Sequence, residues 1–307
     1  MMNEIKGVLP IVHTPFNEQD GIDWDSFHRQ VDWAVDCGIQ GCAIGMVSEV
    51  LRLTSTERRQ LTENLVAAVA GRVVTIASAG AETTQQAIEY ACHAQQAGCD
   101  AVMAIPPVST ALSDQEVLDY FRQIATALEI PVIVQDASSY VGQEIDLSVY
   151  RRLIDEFGAE RIYFKPESAP LGPNLSRIRD ATEGQARVLE GSGGISLMDS
   201  YQRGICGTMP GMEFLEGLVA IWQALERGDR PAAYRVYLPV CALVALQLQA
   251  GLDGFLAIEK YVLHKRGLFA TARRRGPIQW EMDSETCEEV DRLLDLLEAA
   301  LQAEKCD

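Results

Sequence analysis

The sequence is poor in lysine, with five in 307 residues, at positions 6, 165, 260, 265 and 305. Histidine is scarcer still, with four scattered residues, 13, 28, 93 and 264, so a histidine-based metal centre is not expected. Eight cysteines are present, but no CxxC pair or other zinc-like spacing occurs among them. They read as reduced, largely buried thiols of a cytoplasmic protein. No run of about 18 or more consecutive apolar residues is found, so no membrane span is expected. The opening MMNEIKGVLPIVHTPF lacks the long apolar core and small-residue site of a secretory leader. Positive charge is in deficit, with 26 Lys and Arg against 44 Asp and Glu and a net charge of −18. That balance argues against nucleic acid and anionic membranes as partners. No GxGxxG follows the first apolar segment, which weighs against a dinucleotide fold.

What is present is a repeat of short apolar runs alternating with stretches of helical period. The runs lie at 8–12, 41–44, 73–77, 101–105, 132–134, 162–164, 187–189 and 205–208. Amphipathic segments separate them, such as 25–36, 56–70, 84–97, 114–128 and 147–157. Glycines at 38, 98 and 204 end helices just before the next strand, where positive φ is needed. Caps are expected at Ser55 or Thr56, at Ser113 with Glu116 three residues on, and at Asp146. Eight strand-helix units predict a (β/α)8 TIM barrel over residues 1–228, with an open doubly wound sheet as the alternative. Residues 229–307 read as a C-terminal helical extension, and the basic run in FATARRRGPIQ (269–279) as a solvated link.

The stretch ERIYFKPESA (160–169) places Lys165 at the C-terminal end of the sixth strand, where a barrel carries its active site. Of the five lysines it alone follows an apolar strand. An ordinary lysine titrates near ~10.4, and bringing it to about 7 requires roughly 4–5 kcal/mol of selective destabilisation of its charged form. The return is a nucleophilic amine able to form a Schiff base with a ketone. The alternative is a structural ion pair with Glu167 or Asp136.

The ordered series GVLPIVHTPF, DGID, GMVSE, LRLTSTERR, PVIVQD, YFKPES and GICGTMPG resembles the dihydrodipicolinate synthase/N-acetylneuraminate lyase family in register over residues 7–211. The resemblance implies a Schiff-base lyase on a TIM barrel, with Lys165 as imine former and a 2-keto acid as small-molecule substrate. It implies no metal or organic cofactor, since the imine is itself the electron sink, and a homodimer or homotetramer. It places Gly45 at the opening of the carboxylate-binding loop. Met46 and Val47 stand where the family has hydroxyl or small polar residues, so carboxylate binding passes to backbone N–H groups or to Ser48. The family's strand-five tyrosine falls on Gln135, its intersubunit tyrosine near Val108 and Ser109, and its second-carboxylate arginine on Tyr140.

Those losses argue against dihydrodipicolinate synthesis. The Gln-Asp of strand five and the Tyr-Phe-Lys-x-Glu of strand six are closer to the sugar-acid branch, especially L-2-keto-3-deoxyarabonate dehydratases. The reaction implied is dehydration of a 2-keto-3-deoxy acid, with aldol cleavage as the rival and a non-catalytic keto-acid binding protein as a rival of another class. Gln135 cannot titrate and is assigned to orienting a water or hydroxyl. Glu49, Tyr140 and Ser138 are candidates for proton transfer, although Glu49 reads equally as a carboxylate satisfying a helix start and Tyr140 as a loop aromatic. Glu167 is expected to orient the strand-six loop and Asp136 to be a structural acceptor. His13, Ser192 and Met209 are binding candidates, His13 reading equally as a satisfied core histidine.

Overall fold

The computed structural model describes residues 4–306; residues 1–3 and 307 of the two expected segments lie outside them. The described residues contain eight parallel strands: β1 (Gly7–Val8), β2 (Gly41–Ala43), β3 (Val74–Ser78), β4 (Ala101–Ala104), β5 (Val132–Asp136), β6 (Ile162–Pro166), β7 (Arg187–Glu190) and β8 (Gly207–Thr208). They are ordered β1-β8-β7-β6-β5-β4-β3-β2. A parallel bridge between Ile11 and Ala43 joins β1 to β2 and closes the (β/α)8 barrel. The first strand is shorter than the apolar run 8–12 because Pro10 offers no N–H to a ladder. The Pro10 carbonyl instead accepts the Ala43 N–H at 2.9 Å, and pairing resumes at Ile11.

Between the strands lie α1 (Trp24–Asp36), α2 (Ser55–Val69), α3 (Thr84–Ala97), α4 (Asp114–Thr126), α5 (Leu147–Phe157), α6 (Leu171–Ala181) and α7 (Leu197–Gln202). The Ser113–Glu116 capping box and the Asp146 cap form as expected. The cap of α2 is Thr54, boxed with Glu57, rather than Ser55 or Thr56. Ser55 already carries helical geometry, and only Thr54 has the extended backbone a cap requires.

Side-chain alternation divides the strands between two cores. Ile11, Ala43, Ile76, Met103, Ile133, Tyr163 and Leu189 fill the barrel interior. Val102, Val132, Val134 and Phe164 face the helices. With period 2, Lys165 stands on the same side as Tyr163, and Gln135 on the same side as Ile133. Gln135 and Lys165 are register partners across β5 and β6. The fold thus aims both into the barrel mouth, above its packed floor.

The chain continues through α8 (Leu215–Glu226), α9 (Arg230–Gln247), α10 (Gly251–Lys265) and α11 (Ser284–Cys306). The α9 helix packs on α8, and α11 packs on α9. By length and composition the stretch Arg230–Lys265 is apolar enough to span a bilayer, with mean hydropathy 1.6 over an 18-residue window, although its apolar runs are short and broken by polar residues. Half of that window is buried inside this fold, as in a core helix. The basic run at 273–275 is not a solvated link. Arg275 makes a two-pronged pair with Glu57 at 2.8 and 2.9 Å, and its guanidinium lies 4.4 Å from the centre of the Phe16 ring. The run straps the extension to the first barrel units.

Candidate active site

The top of the barrel holds a small, partly open cavity lined by Lys165, Glu167, Tyr140, Met46, Val47, Met209, Phe255 and Glu259, among others. Lys165 and Glu167 have side chains only 5% and 7% exposed, and Lys165 Nζ lies 3.1 Å from Glu167 Oε1. The other oxygen of Glu167 accepts a hydrogen bond from Gln135 Nε2 at 2.5 Å. Burial pushes the Glu167 carboxyl above its ordinary range, opposed by the Lys165 charge and by the hydrogen bonds from Gln135 and Lys165. A carboxyl and an amine in contact, each short of water, can pass a proton between them. Pro166 follows the lysine, and its ring keeps Lys165 extended. Gly191 at the end of β7 makes room for the pair. A Cβ there would lie 2.7 Å from Lys165 Cε and 2.6 Å from Glu167 Oε1.

Gly45, Met46 and Val47 form the β2 loop, and Met46 and Val47 line the cavity. Ser48 does not. Its hydroxyl donates to the Val12 carbonyl and accepts the Gly45 N–H at 3.1 Å, so it is spent on shaping the loop. Glu49 also lies outside the cavity. It adopts left-handed backbone (φ 58°), and its oxygens are taken by Lys260 Nζ and by the Arg275 N–H at 2.9 Å. A carboxylate so tied on both oxygens, and absent from the cavity wall, is not placed for proton transfer to a ligand. Its occupation is structural, although not by the helix start.

Tyr140 reaches the cavity wall, edge-on to Phe255 with centroids 5.9 Å apart. Burial and the nearby charges of Glu167, Glu259 and Glu190 push its hydroxyl strongly up, so it stays protonated at neutral pH, able to donate a hydrogen bond and not to act as a base. Ser138 does not line the cavity; its N–H caps onto Asp136 Oδ1 at 3.0 Å. Asp136 also accepts the Ile145 N–H at 3.1 Å, which makes it the structural acceptor expected. Ser192 sits between the cavity-lining Gly191 and Gly193, but its hydroxyl accepts the Ser196 N–H at 2.9 Å. Met209 lines the cavity from the end of β8.

His13 is fully buried beneath the cavity wall. Its Nδ1 lies 3.1 Å from the Val47 carbonyl, and its Nε2 lies 3.4 Å from the Met212 N–H. With those partners Nδ1 is placed to donate to the carbonyl and Nε2 to accept the N–H. His13 therefore supports the carboxylate loop from behind without touching the cavity.

Among the buried ionisable residues that escaped sequence reading are Glu213, Glu259 and Lys260, at 2%, 1% and 0% exposure. Lys260 is a second buried lysine, and burial holds its ammonium down to about 8, against the pull of Glu49. It is no rival nucleophile. Its three donors are used on Thr14 O at 2.7 Å, Arg273 O at 2.9 Å and Glu49 Oε1, and it does not line the cavity. Helix α10 offered one signal, an adjacent Glu-Lys inside the apolar run FLAIEKYVL.

The profile of the Dihydrodipicolinate synthetase family matches residues 4–296. An L-2-keto-3-deoxyarabonate dehydratase of Azospirillum brasilense is 29% identical over 284 residues, covering 89% of this chain and 88% of that one. A 4-hydroxy-tetrahydrodipicolinate synthase of Bartonella quintana (strain Toulouse) is 30% identical over 187 residues, 61% of this chain and 58% of that one. The crystal structure of a dihydrodipicolinate synthase from Rhodopseudomonas palustris superposes with a TM-score of 0.87 at 27% identity, covering 97% and 99% of the two chains. The order of motifs, the closed barrel and these likenesses agree, and the chain belongs to the dihydrodipicolinate synthetase family of pyruvate-dependent lyases.

Proposed function

We propose that the protein dehydrates a 2-keto-3-deoxy sugar acid through a Schiff base on Lys165. The observation that carries this is the buried Lys165–Glu167 contact at the wall of an open cavity, with Gln135 where a titrating strand-five residue would otherwise stand. Glu167 takes the proton of the lysine ammonium, the freed amine attacks the C2 ketone, and Glu167 returns the proton to the carbinolamine hydroxyl, which leaves as water and restores the carboxylate. Backbone N–H groups of the Gly45–Val47 loop hold the substrate carboxylate, since Ser48 is already occupied. The iminium acidifies C3, and Glu167 removes a C3 proton to give an enamine. Collapse of the enamine expels the C4 hydroxyl as water. Gln135 holds Glu167 in place and cannot itself move a proton. The dehydratase of A. brasilense, matched over most of both chains, supports the reaction class.

The enzyme in this reading is cytoplasmic, needs no metal or organic cofactor, and works as a homodimer or homotetramer. Exposed Tyr234 and Leu238 on α9 offer an apolar face for self-association. The division into a barrel of residues 1–228 and an extension of residues 229–307 has a functional sense here, because Phe255 and Glu259 of the extension wall the cavity.

Aldol chemistry is the second reading, favoured by the synthase of B. quintana. Incubation with a panel of five- and six-carbon 2-keto-3-deoxy acids separates the two. A single product of unchanged carbon number, lighter by one water, is expected. Pyruvate with an aldehyde would overturn the dehydratase reading in favour of aldol cleavage.

A further inference from the structure

Behind the cavity, three elements bring His13, Glu213 and Glu259 together, all within 2% of full burial. They come from the end of the first barrel unit, the loop after β8, and α10. Glu259 also lines the cavity that holds Lys165 and Glu167. The local chain accommodates it closely: a Cβ at Gly211 would lie 2.7 Å from Glu259 Oε1 and 2.2 Å from Glu213 Oε2.

Among the described residues, no lysine or arginine is paired with Glu259. Lys260 is committed to Glu49, and the two ring nitrogens of His13 are engaged by the Val47 carbonyl and the Met212 N–H. Glu213 Oε1 accepts from Gln247 Nε2 at 2.7 Å, whereas Glu213 Oε2 and Glu259 Oε2 are buried with no hydrogen-bond partner. Two carboxylates so placed cannot both stay ionised in a dry site. One ligand atom from each of His13, Glu213 and Glu259 lies within 4.8 Å of the others, a spacing that could hold a cation. However, the two carboxylates approach different ring nitrogens, Glu259 Oε2 at 3.4 Å from Nδ1 and Glu213 Oε2 at 3.9 Å from Nε2. A metal held by one imidazole nitrogen would reach only one of them without rearrangement, so the arrangement suits a held proton better.

We propose that Glu259, brought over the barrel mouth by the C-terminal extension, is the general acid that protonates the departing C4 hydroxyl. This rests on the dehydratase reading above and adds its missing acid. Burial, with Glu213 and Glu49 nearby, also holds the Glu259 carboxyl well above its ordinary range, outweighing the pull of Lys260. The step balances without any redox partner. The C3 proton goes to Glu167, and its bonding pair forms the enamine. The C4–O bond then breaks with its pair on oxygen, which takes the Glu259 proton and leaves as water. Glu259 is left as a carboxylate and Glu167 as an acid. A proton transfer between them across the shared cavity resets the site. The donor comes from α10 and the base from the residue just after β6, so the two roles fall to different elements around one cavity.

The test uses the full-length protein and its Glu259→Gln variant, which keeps volume and polarity but cannot yield a proton. The infrared spectrum of the wild type at neutral pH is expected to show a protonated-carboxyl band that the variant lacks. Dehydration kcat is expected to fall by roughly 10²–10⁴-fold. Borohydride trapping of pyruvate on Lys165 is expected to be unchanged. Partial rescue by Glu259→Asp would separate acid function from packing. The proposal is overturned by a missing band, by a variant turning over within about threefold of wild type, or by a stoichiometric metal whose removal abolishes activity. Should the wild type form no adduct at Lys165, the dehydratase reading falls as well; normal adduct and turnover in Glu259→Gln remove only the acid role.

Discussion

Two lysines in this chain are buried, and their surroundings give them opposite roles. Lys165 shares its nitrogen with one carboxylate and an open cavity. Lys260 spends all three donors and has no cavity beside it. Sequence distinguishes Lys165 because an apolar strand leads into it. Lys260 stays hidden because a lysine within a helix usually runs its stem along the surface to water. Substitution separates the two. Lys165→Ala should abolish turnover, and because the Glu167 it strands is already pushed toward its protonated form beside the cavity, its urea midpoint should fall by less than that of Lys260→Ala. Lys260→Ala leaves Glu49 buried without its partner and should cost about 3–5 kcal/mol, measured as a lowered midpoint in urea unfolding. The Glu167 role was legible only in part. A glutamate two residues beyond the lysine can orient a loop or touch the amine, and the path of the chain after Pro166 decides between them. Ser48 and Glu49 were misleading for a related reason. Their residue types suit ligand binding, but loop closure had already used their hydrogen bonds.

Elements follow the sequence pattern closely where the pattern is local. The apolar runs became strands, and alternation alone puts Lys165 inside the barrel with Tyr163. The deviations have local causes too. Pro10 shortens β1, and extended backbone moves the α2 cap to Thr54. Thr54→Ala removes a capping box and should destabilise the protein by about 1 kcal/mol in thermal or urea unfolding, without affecting adduct formation. The strap at 273–275 was not legible. Three adjacent arginines look like solvated charge, and nothing local reveals that Glu57 and Glu49 lie opposite them. Arg275→Ala should loosen the extension, seen as faster amide exchange in α10.

At the scale of the molecule, the barrel supplies Lys165 and Glu167, and the extension walls the cavity beside them. Phe255 and Glu259 come from α10 yet line the same cavity as Lys165. That long-range meeting depends on how α9 and α10 dock, which no spacing in the sequence encodes. It also leaves a mark on stability. Glu259 is held above its ordinary value of 4.5, so the folded protein keeps a proton that the unfolded chain releases above that pH. Folded-state stability therefore declines as pH rises from about 4.5 toward the raised value. Glu259→Gln removes this penalty, and its melting temperature should fall less between pH 5 and pH 8 than that of the wild type. Glu167, raised by burial as well, adds a slope of the same sign to both proteins.

The most direct test of the account is borohydride reduction in the presence of pyruvate and a panel of 2-keto-3-deoxy acids, followed by peptide mass mapping with Lys165→Ala as control. The account expects one reduced adduct per chain, on the peptide carrying Lys165, and none in the variant. Ligand binding with no adduct on that peptide, or an adduct on Lys260, would contradict it.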